Sequence, residues 1–277
     1  MKHKIDLHLH TTASDGKLSP SELVALAVKE NLSYIAVTDH DTTKGLSEAL
    51  KSSRNSGITV FPGIELSTQK NGENVHILGY FNSEDYLSDK FQGELKSMEE
   101  HRKWRSRKII ENLKKYFDIS LNYENILNKA KGVIGRPHIA RAILEAGYDF
   151  SWEYIFDKLI GNDSPAYVPN KNLSPKEGLR LLKSAGAITV LAHPVLVKQN
   201  SAEDLLALDF DGIEAIYSLN EENDTKNFVN LAIKNNKIIT CGSDYHGGDI
   251  GDTKHGYIGS LEYPENYFNK FKNNFLL

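Results

Sequence analysis

Five apolar, strand-like runs of this sequence end in histidine or carboxylate residues. In the first, Lys4–His10, residues Asp6, His8 and His10 alternate and therefore share one face of a strand. Thr38-Asp39-His40-Asp41 follows the second run and Gly63-Ile64-Glu65 the third. His193-Pro194 follows Ala187–Ala192, and Gly242-Ser243-Asp244-Tyr245-His246 ends the last run. Asp15, in the turn Ser14-Asp15-Gly16, and His76 complete the inventory. It comprises six imidazoles (His8, His10, His40, His76, His193, His246) and three carboxylates (Asp15, Glu65, Asp244). Chance could supply one or two such clusters; five at strand ends imply that the strands deliver them to one place.

Nine nitrogen and oxygen donors exceed the three or four that a catalytic zinc takes. A carboxylate such as Glu65 can bridge, so two or three divalent ions fit the set better. Donors without thiolate suit Mn, Fe or Zn, with Mg also admissible. Such ions serve hydrolysis of a phosphate ester by metal-activated water. No P-loop, Gly-rich dinucleotide fingerprint or serine nucleophile elbow points to another chemistry.

The elements that must position these residues alternate. Strand-like runs at Lys4–His10, Tyr34–Thr38, Ile58–Pro62, Ile188–Ala192, Gly212–Tyr217 and Lys237–Gly242 are separated by helical patterns. Ser19-Pro20-Ser21-Glu22 and Ser174-Pro175-Lys176-Glu177 each read as an N-cap with proline at the first helical position. This order predicts an α/β fold with a largely parallel sheet, closed into a barrel whose strand ends open on one face. One link departs from it: Ile64–Lys70 and Glu73–Phe81 meet at Asn71-Gly72, a hairpin signal. A two-residue turn pairs Ser67 with His76 and places Glu65 diagonally beside His76 on the same face. From about 98 to 164 the pattern becomes four successive helices, Glu99–Phe117, Tyr123–Ala130, His138–Ala146 and Trp152–Leu159. We read this segment as an inserted cap subdomain, with 1–97 and 165–277 forming the barrel. Its first helix is rich in Lys and Arg, and Trp104 and Trp152 are expected as core anchors.

Composition excludes several classes. With 40% hydrophobic and 25% charged residues the chain can bury a large core. A net charge of −4 gives no global basic field. The single cysteine, Cys241, forms no internal bridge and is expected as a small buried residue. No apolar run approaches a membrane span, and the polar start is unlike a signal peptide. A cytoplasmic protein with no membrane and no obligate protein partner is expected.

Asp-Leu-His-Leu-His, Thr-Asp-His-Asp, Gly-Ile-Glu, the isolated His76, His-Pro and Gly-Ser-Asp-Tyr-His, in this order and spacing, resemble the polymerase and histidinol phosphatase (PHP) family along nearly the whole chain. The resemblance implies a distorted (β/α)7 barrel with an inserted helical cap and a trinuclear metal site. One ion would take His8, His10, Glu65 and Asp244; a second would share Glu65 with His76 and His193; a third would use Asp15, His40 and His246. His193, His246 and Asp244 would carry the catalysis, the two histidines stabilising or protonating the leaving oxygen. His76-Ile77-Leu78-Gly79-Tyr80, the insertion and Gly135-Arg136-Pro137-His138 resemble the branch that removes the 3′-phosphate from nucleoside 3′,5′-bisphosphates. Relatives of that branch release 5′-nucleotides from short RNA. Arg136 and His138 would then contact a substrate phosphate. The alternatives are a histidinol-phosphate phosphatase and a non-catalytic metal-binding module that associates with a polymerase or nucleic acid. Asp6, Asp39 and Asp41 are expected to orient imidazoles. Glu214 is not counted in the site, and His3, His101 and His255 are expected to be exposed.

Overall fold

Short β-branched runs punctuated by glycine and proline form seven strands that hydrogen-bond in chain order. The structure, a computed structural model, describes residues 3–130, 134–169, 173–248 and 255–275. β1 (Ile5–Leu9) and β2 (Tyr34–Val37) are parallel, as are β2 and the start of β3 (Thr59–Lys70). β4 (Glu73–Phe81) runs antiparallel to β3 and to β5 (Ala187–Leu191). β5, β6 (Gly212–Tyr217) and β7 (Ile238–Gly242) are again parallel. Leu9 bridges Tyr245, and the His10 N–H donates to the Tyr245 carbonyl at 3.0 Å, which nearly closes the sheet. This is the distorted seven-stranded α/β barrel expected, with one strand reversed. β1, β5, β6 and β7 are buried along their whole length, as strands covered on both faces must be.

The runs read separately as Ile58–Pro62 and Ile64–Lys70 are one strand. What changes between them is the partner. Pro62 makes the last pairing with β2, at Val37, and Gly63 makes the first with β4, at Tyr80. Proline lacks a ladder donor and is tolerated where a strand changes neighbours.

Two compact units make up the chain: Met1–Gln92 with Asn172–Leu277, and Gly93–Lys171. In the first, α1 (Pro20–Lys29) opens with a reciprocal cap. The Ser19 hydroxyl accepts from the Glu22 N–H, and the Glu22 carboxylate accepts from the Ser19 N–H. α2 (Leu46–Ser53) follows β2. The second unit is helical: α3 (Asp89–Phe117) starts ten residues upstream of the expected Glu99 and leads into α4 (Tyr123–Lys129) and α5 (Arg136–Glu145). The short α6 (Trp152–Tyr154) continues as a π turn over Ile155–Leu159. Aliphatic side chains such as Leu113, Ile126, Ile143 and Leu159 fill this unit's own core. Trp104 and Trp152 are not core anchors: they are 52% and 40% exposed and lie outside it, beside His101 and Phe156 respectively. Back in the barrel unit, α7 (Pro175–Ser184) repeats the α1 cap with Ser174 and Glu177, and α8 (Ala202–Leu206), α9 (Glu222–Lys234) and α10 (Glu265–Lys272) complete it. Among the described residues no helix is long and apolar enough to cross a membrane.

The β3–β4 turn adopts the expected register, with Lys70 opposite Glu73 and Ser67 opposite His76. Asn71 (φ 54°) and Gly72 (φ 82°) both occupy the left-handed region that a two-residue hairpin turn demands. A Cβ at position 72 pays the left-handed penalty of about 1–2 kcal/mol. Gly72→Ala should therefore lower the thermal midpoint by a few degrees, at roughly 2–4 °C per kcal/mol for a chain this long. An unchanged midpoint in a calorimetric scan would show that this turn does not constrain the hairpin.

Candidate metal centre

Glu65, only 1% exposed, is the hub on which the strand ends converge. Its Oε1 lies 2.8 Å from His76 Nδ1 and 2.8 Å from His193 Nε2. The hairpin register brings the first contact about, since Glu65 and His76 are diagonal neighbours on one face. Its Oε2 lies 3.2 Å from His8 Nε2, 3.2 Å from His10 Nε2 and 3.1 Å from His40 Nδ1. Asp244 Oδ1 is 3.4 Å from that His8 nitrogen and 3.2 Å from that of His10, and the two nitrogens are 3.1 Å apart. Four donor atoms so crowded lie within reach of one small divalent ion.

Unmet polar atoms point the same way. Glu65 Oε2, Asp244 Oδ1, His10 Nδ1, His40 Nδ1 and His193 Nδ1 are all buried without a hydrogen-bond partner. Buried polar atoms ordinarily have one. Carboxylate oxygens and imidazole lone pairs that face each other are all acceptors, so a cation between them would satisfy the set. The residues present fit a metal centre.

Of three further groups among the described residues, two consist only of the nine residues inventoried from the sequence. One is His10, Asp15, His40 and His246, with His246 Nε2 3.2 Å from Asp15 Oδ1; the other is His40, Glu65 and His76. All nine residues singled out from the sequence thus gather in the barrel unit. Asp15 is the half-exposed outlier, and His193 reaches the group through Glu65. His10, His40, Asp244 and His246 each belong to two groups rather than one.

Residues 6–161 match the PHP domain family. The chain belongs to that family. The PHP chain is 32% identical over 251 residues to the 5′-3′ exoribonuclease Rnm of Salmonella typhimurium, covering 87% of this chain and 84% of that one. It is 29% identical over 263 residues to the 3′,5′-nucleoside bisphosphate phosphatase of Chromobacterium violaceum, covering 90% and 91%. A crystal structure from Bifidobacterium adolescentis, assigned as a metal-dependent phosphoesterase, superposes with a TM-score of 0.78 at 26% identity, covering 99% and 97%. The protein is a metal-dependent phosphoesterase.

The shell around the PHP site differs from expectation in which acid orients the rings. Glu214, fully buried on β6, accepts from His8 Nδ1 at 3.0 Å and from the His193 N–H at 2.8 Å. Asp6 and Asp39 instead anchor loops: Asp6 accepts the N–H groups of Ser243 (3.0 Å) and Gly259 (2.8 Å), and Asp39 those of Thr11 and the Ser14 hydroxyl. Asp41 accepts from the Ser67 N–H at 2.7 Å. Alternation along a strand identifies a shared face but not which acid lies behind which ring, and β6 carries no histidine to mark Glu214. Gly242 is required beside it, because a Cβ there would come within 2.3 Å of both Glu214 Oε1 and His8 Cβ. Tyr217 donates to Asp244 Oδ2 at 3.0 Å and fixes that carboxylate. His255 is not a remote surface residue but stacks on His246.

Burial opposes charge throughout the PHP site, and at His8, His10 and His76 the acids overcome it. Glu214, Glu65 and Asp244 push His8 well above the ordinary histidine value, and Asp244 and Glu65 push His10 up to about 10. At His40 burial prevails over the pull of Glu65, and the ring is pushed down to about 4. Against burial, His40, His76 and His8 hold Glu65 well below the usual carboxylate range, and His8 and His10 do the same for Asp244. A cation bound by these rings would compete with protons for them.

Glu214→Gln removes the charge behind His8 and leaves an amide of the same shape. Carboxylates in that position are typically worth 10- to 100-fold in metal affinity. Calorimetric titration with Mn2+ should show a loss of about that size, whereas equal affinity would reduce Glu214 to a packing role.

Proposed function

We propose that this phosphoesterase hydrolyses the 3′-phosphate of nucleoside 3′,5′-bisphosphates, using two or three divalent ions of the Mn, Fe or Zn type. The observation that carries the reading is the cluster of His8, His10, Glu65 and Asp244 donors, whose two carboxylate oxygens are buried and unpartnered. Those four residues would hold one ion; Glu65, His76 and His193 a second; Asp15, His40 and His246 a third. The chemistry they supply when bound is activation of a water and neutralisation of the phosphoryl oxygens. The choice of substrate is supported by the Chromobacterium violaceum relative, whose name carries that activity. Processing of short RNA from its 5′ end is a related reading, supported by the exoribonuclease relative.

The protein's own groups have definite tasks in this scheme. The Asp244 carbonyl lies 2.8 Å from His246 Nδ1, so that nitrogen carries the proton and Nε2, on the Asp15 side, keeps the lone pair. His193 is held from both ends, by Glu214 at its backbone and Glu65 at its ring, and is the better placed of the two to hold a leaving oxygen in a fixed orientation. In the helical unit, the Gly135 N–H donates to His138 Nδ1 at 3.0 Å, which leaves the His138 proton on Nε2 as a donor for phosphate. Arg136 and Arg102 lie close enough to Arg105 that, after burial, their charges lower its basicity. Like charges so placed favour an anion among them. Many bases of α3 are already paired, Lys103 with Glu99 and Lys108 with Glu111, so Arg136 is the preferred contact.

Phosphate release from adenosine 3′,5′-bisphosphate, compared with histidinol phosphate and a short 5′-phosphorylated RNA, tests the substrate assignment. With Mn2+ the bisphosphate should be preferred, and chelation should abolish turnover. Glu65→Ala should lose at least ~100-fold, about 3 kcal/mol of barrier; full activity in that variant would eliminate the bridging role. Arg136→Ala should raise KM more than it lowers kcat, by about 10- to 150-fold in kcat/KM for a charged hydrogen bond of roughly 1.5–3 kcal/mol. Unchanged kinetics with the bisphosphate would remove Arg136 from the substrate site.

A further inference from the structure

His246 is stacked on both faces. His10 lies against one at 4.0 Å between ring centroids and 15° between planes; His255 lies against the other at 4.2 Å and 29°. Asp244, His246 and His255 each present a ligand atom, all within 4.8 Å of one another. The Gly256 N–H donates to the Ser243 carbonyl at 2.8 Å, so the backbone next to His255 is fastened to the loop that carries Asp244 and His246. None of the motifs that mark the other site residues includes His255.

We propose that His255 is a tenth ligand of the metal centre and holds, with Asp244, the ion carried by His246. The inference rests on reading the nine-residue cluster as a metal centre and adds a residue to it. The lone pair of His246 decides between one ion and two. With Nδ1 donating to the Asp244 carbonyl, only Nε2 can coordinate, and it serves one ion at a time. The group His10, Asp15, His40, His246 and the group Asp244, His246, His255 share that ring. With one nitrogen available, the ring can serve both groups only as the surroundings of one ion. His255 supplies a nitrogen donor on the side away from His10. Two imidazoles and a carboxylate form a donor set suited to a first-row divalent transition ion, with positions left for water or a phosphate oxygen. Asp15 is half exposed, so an ion held on that side alone would be its most loosely bound member. His255 compensates for that looseness.

Mn2+ titration of the full-length protein, followed by calorimetry and by the electron paramagnetic resonance signal of free Mn2+, tests this without recourse to activity. In His255→Ala the weakest class of bound Mn2+ should weaken at least ~10-fold, roughly 1.4 kcal/mol for a lost ligand, and the tighter classes should stay as they are. His255→Asp, which returns an oxygen donor, should recover part of that loss. The visible absorption of the Co2+-loaded protein should also differ between wild type and His255→Ala, because an imidazole leaves the coordination sphere. Identical stoichiometry, affinities and Co2+ spectra in the folded alanine variant would overturn the assignment. A wild-type protein that binds no Mn2+ or Co2+ would overturn the metal centre itself, and His255 with it.

Discussion

An ionised carboxylate in the middle of a barrel is the constraint that the rest of the structure answers. Removing such a group from water costs several kcal/mol unless compensating charge surrounds it. Glu65 meets that cost with five imidazoles drawn from β1, the β2 end, β4 and the β5 end. Each strand must therefore terminate at the same height, and the reversed β4 is part of this solution. A parallel strand after β3 would need a crossover of a dozen or more residues before it could return a histidine. The hairpin returns His76 to Glu65 within eleven.

Holding so many rings against one carboxylate loads the backbone. Asp41, His193 and Asp244 all have positive φ, a region that non-glycine residues occupy at a cost of order 1 kcal/mol or more. All three stand at strand ends of the site, and side chains elsewhere hold them there. Asp41 is tied to Ser67, His193 to Glu214, and Asp244 to Tyr217. Ser67, Glu214 and Tyr217 thus sustain the strain that the ligand cluster requires, and their task is positional.

This division explains what could and could not be seen in the sequence. Alternation in Asp-Leu-His-Leu-His, the hairpin signal Asn-Gly and the Ser-Pro caps are local rules. Each maps onto the structure: the two Nε2 atoms at 3.1 Å, the observed β3–β4 register, and the reciprocal caps of α1 and α7. What depended on non-local packing was not legible. Glu214 sits mid-strand among apolar neighbours, and only the arrival of β1 beside β7 gives it His8 as a partner. His255 gains a role only because the chain returns to the Ser243 carbonyl. The tryptophans were misjudged because size alone suggested the core, whereas the helical unit fills its interior with smaller aliphatic residues. The split reading of β3 had a real basis, since Pro62 marks a change of partner, but a change of partner does not end the strand.

The same physics sets a conflict that charge distribution resolves. A site that gathers cations must be rich in acids, yet its substrate class is anionic. The barrel residues carry 19 Lys and Arg against 26 Asp and Glu, while Gly93–Lys171 carries 14 against 11. Negative charge is thus concentrated in the unit that holds the ligand cluster, and the excess of positive charge in the unit that holds Arg102, Arg105 and Arg136. Bound divalent ions would reverse the sign of the local field at the acids, as bound ions do wherever they are the largest charges present. Such ions would then favour a phosphate beside the acidic cluster. Metal loading and substrate attraction would in this way be linked through one electrostatic field.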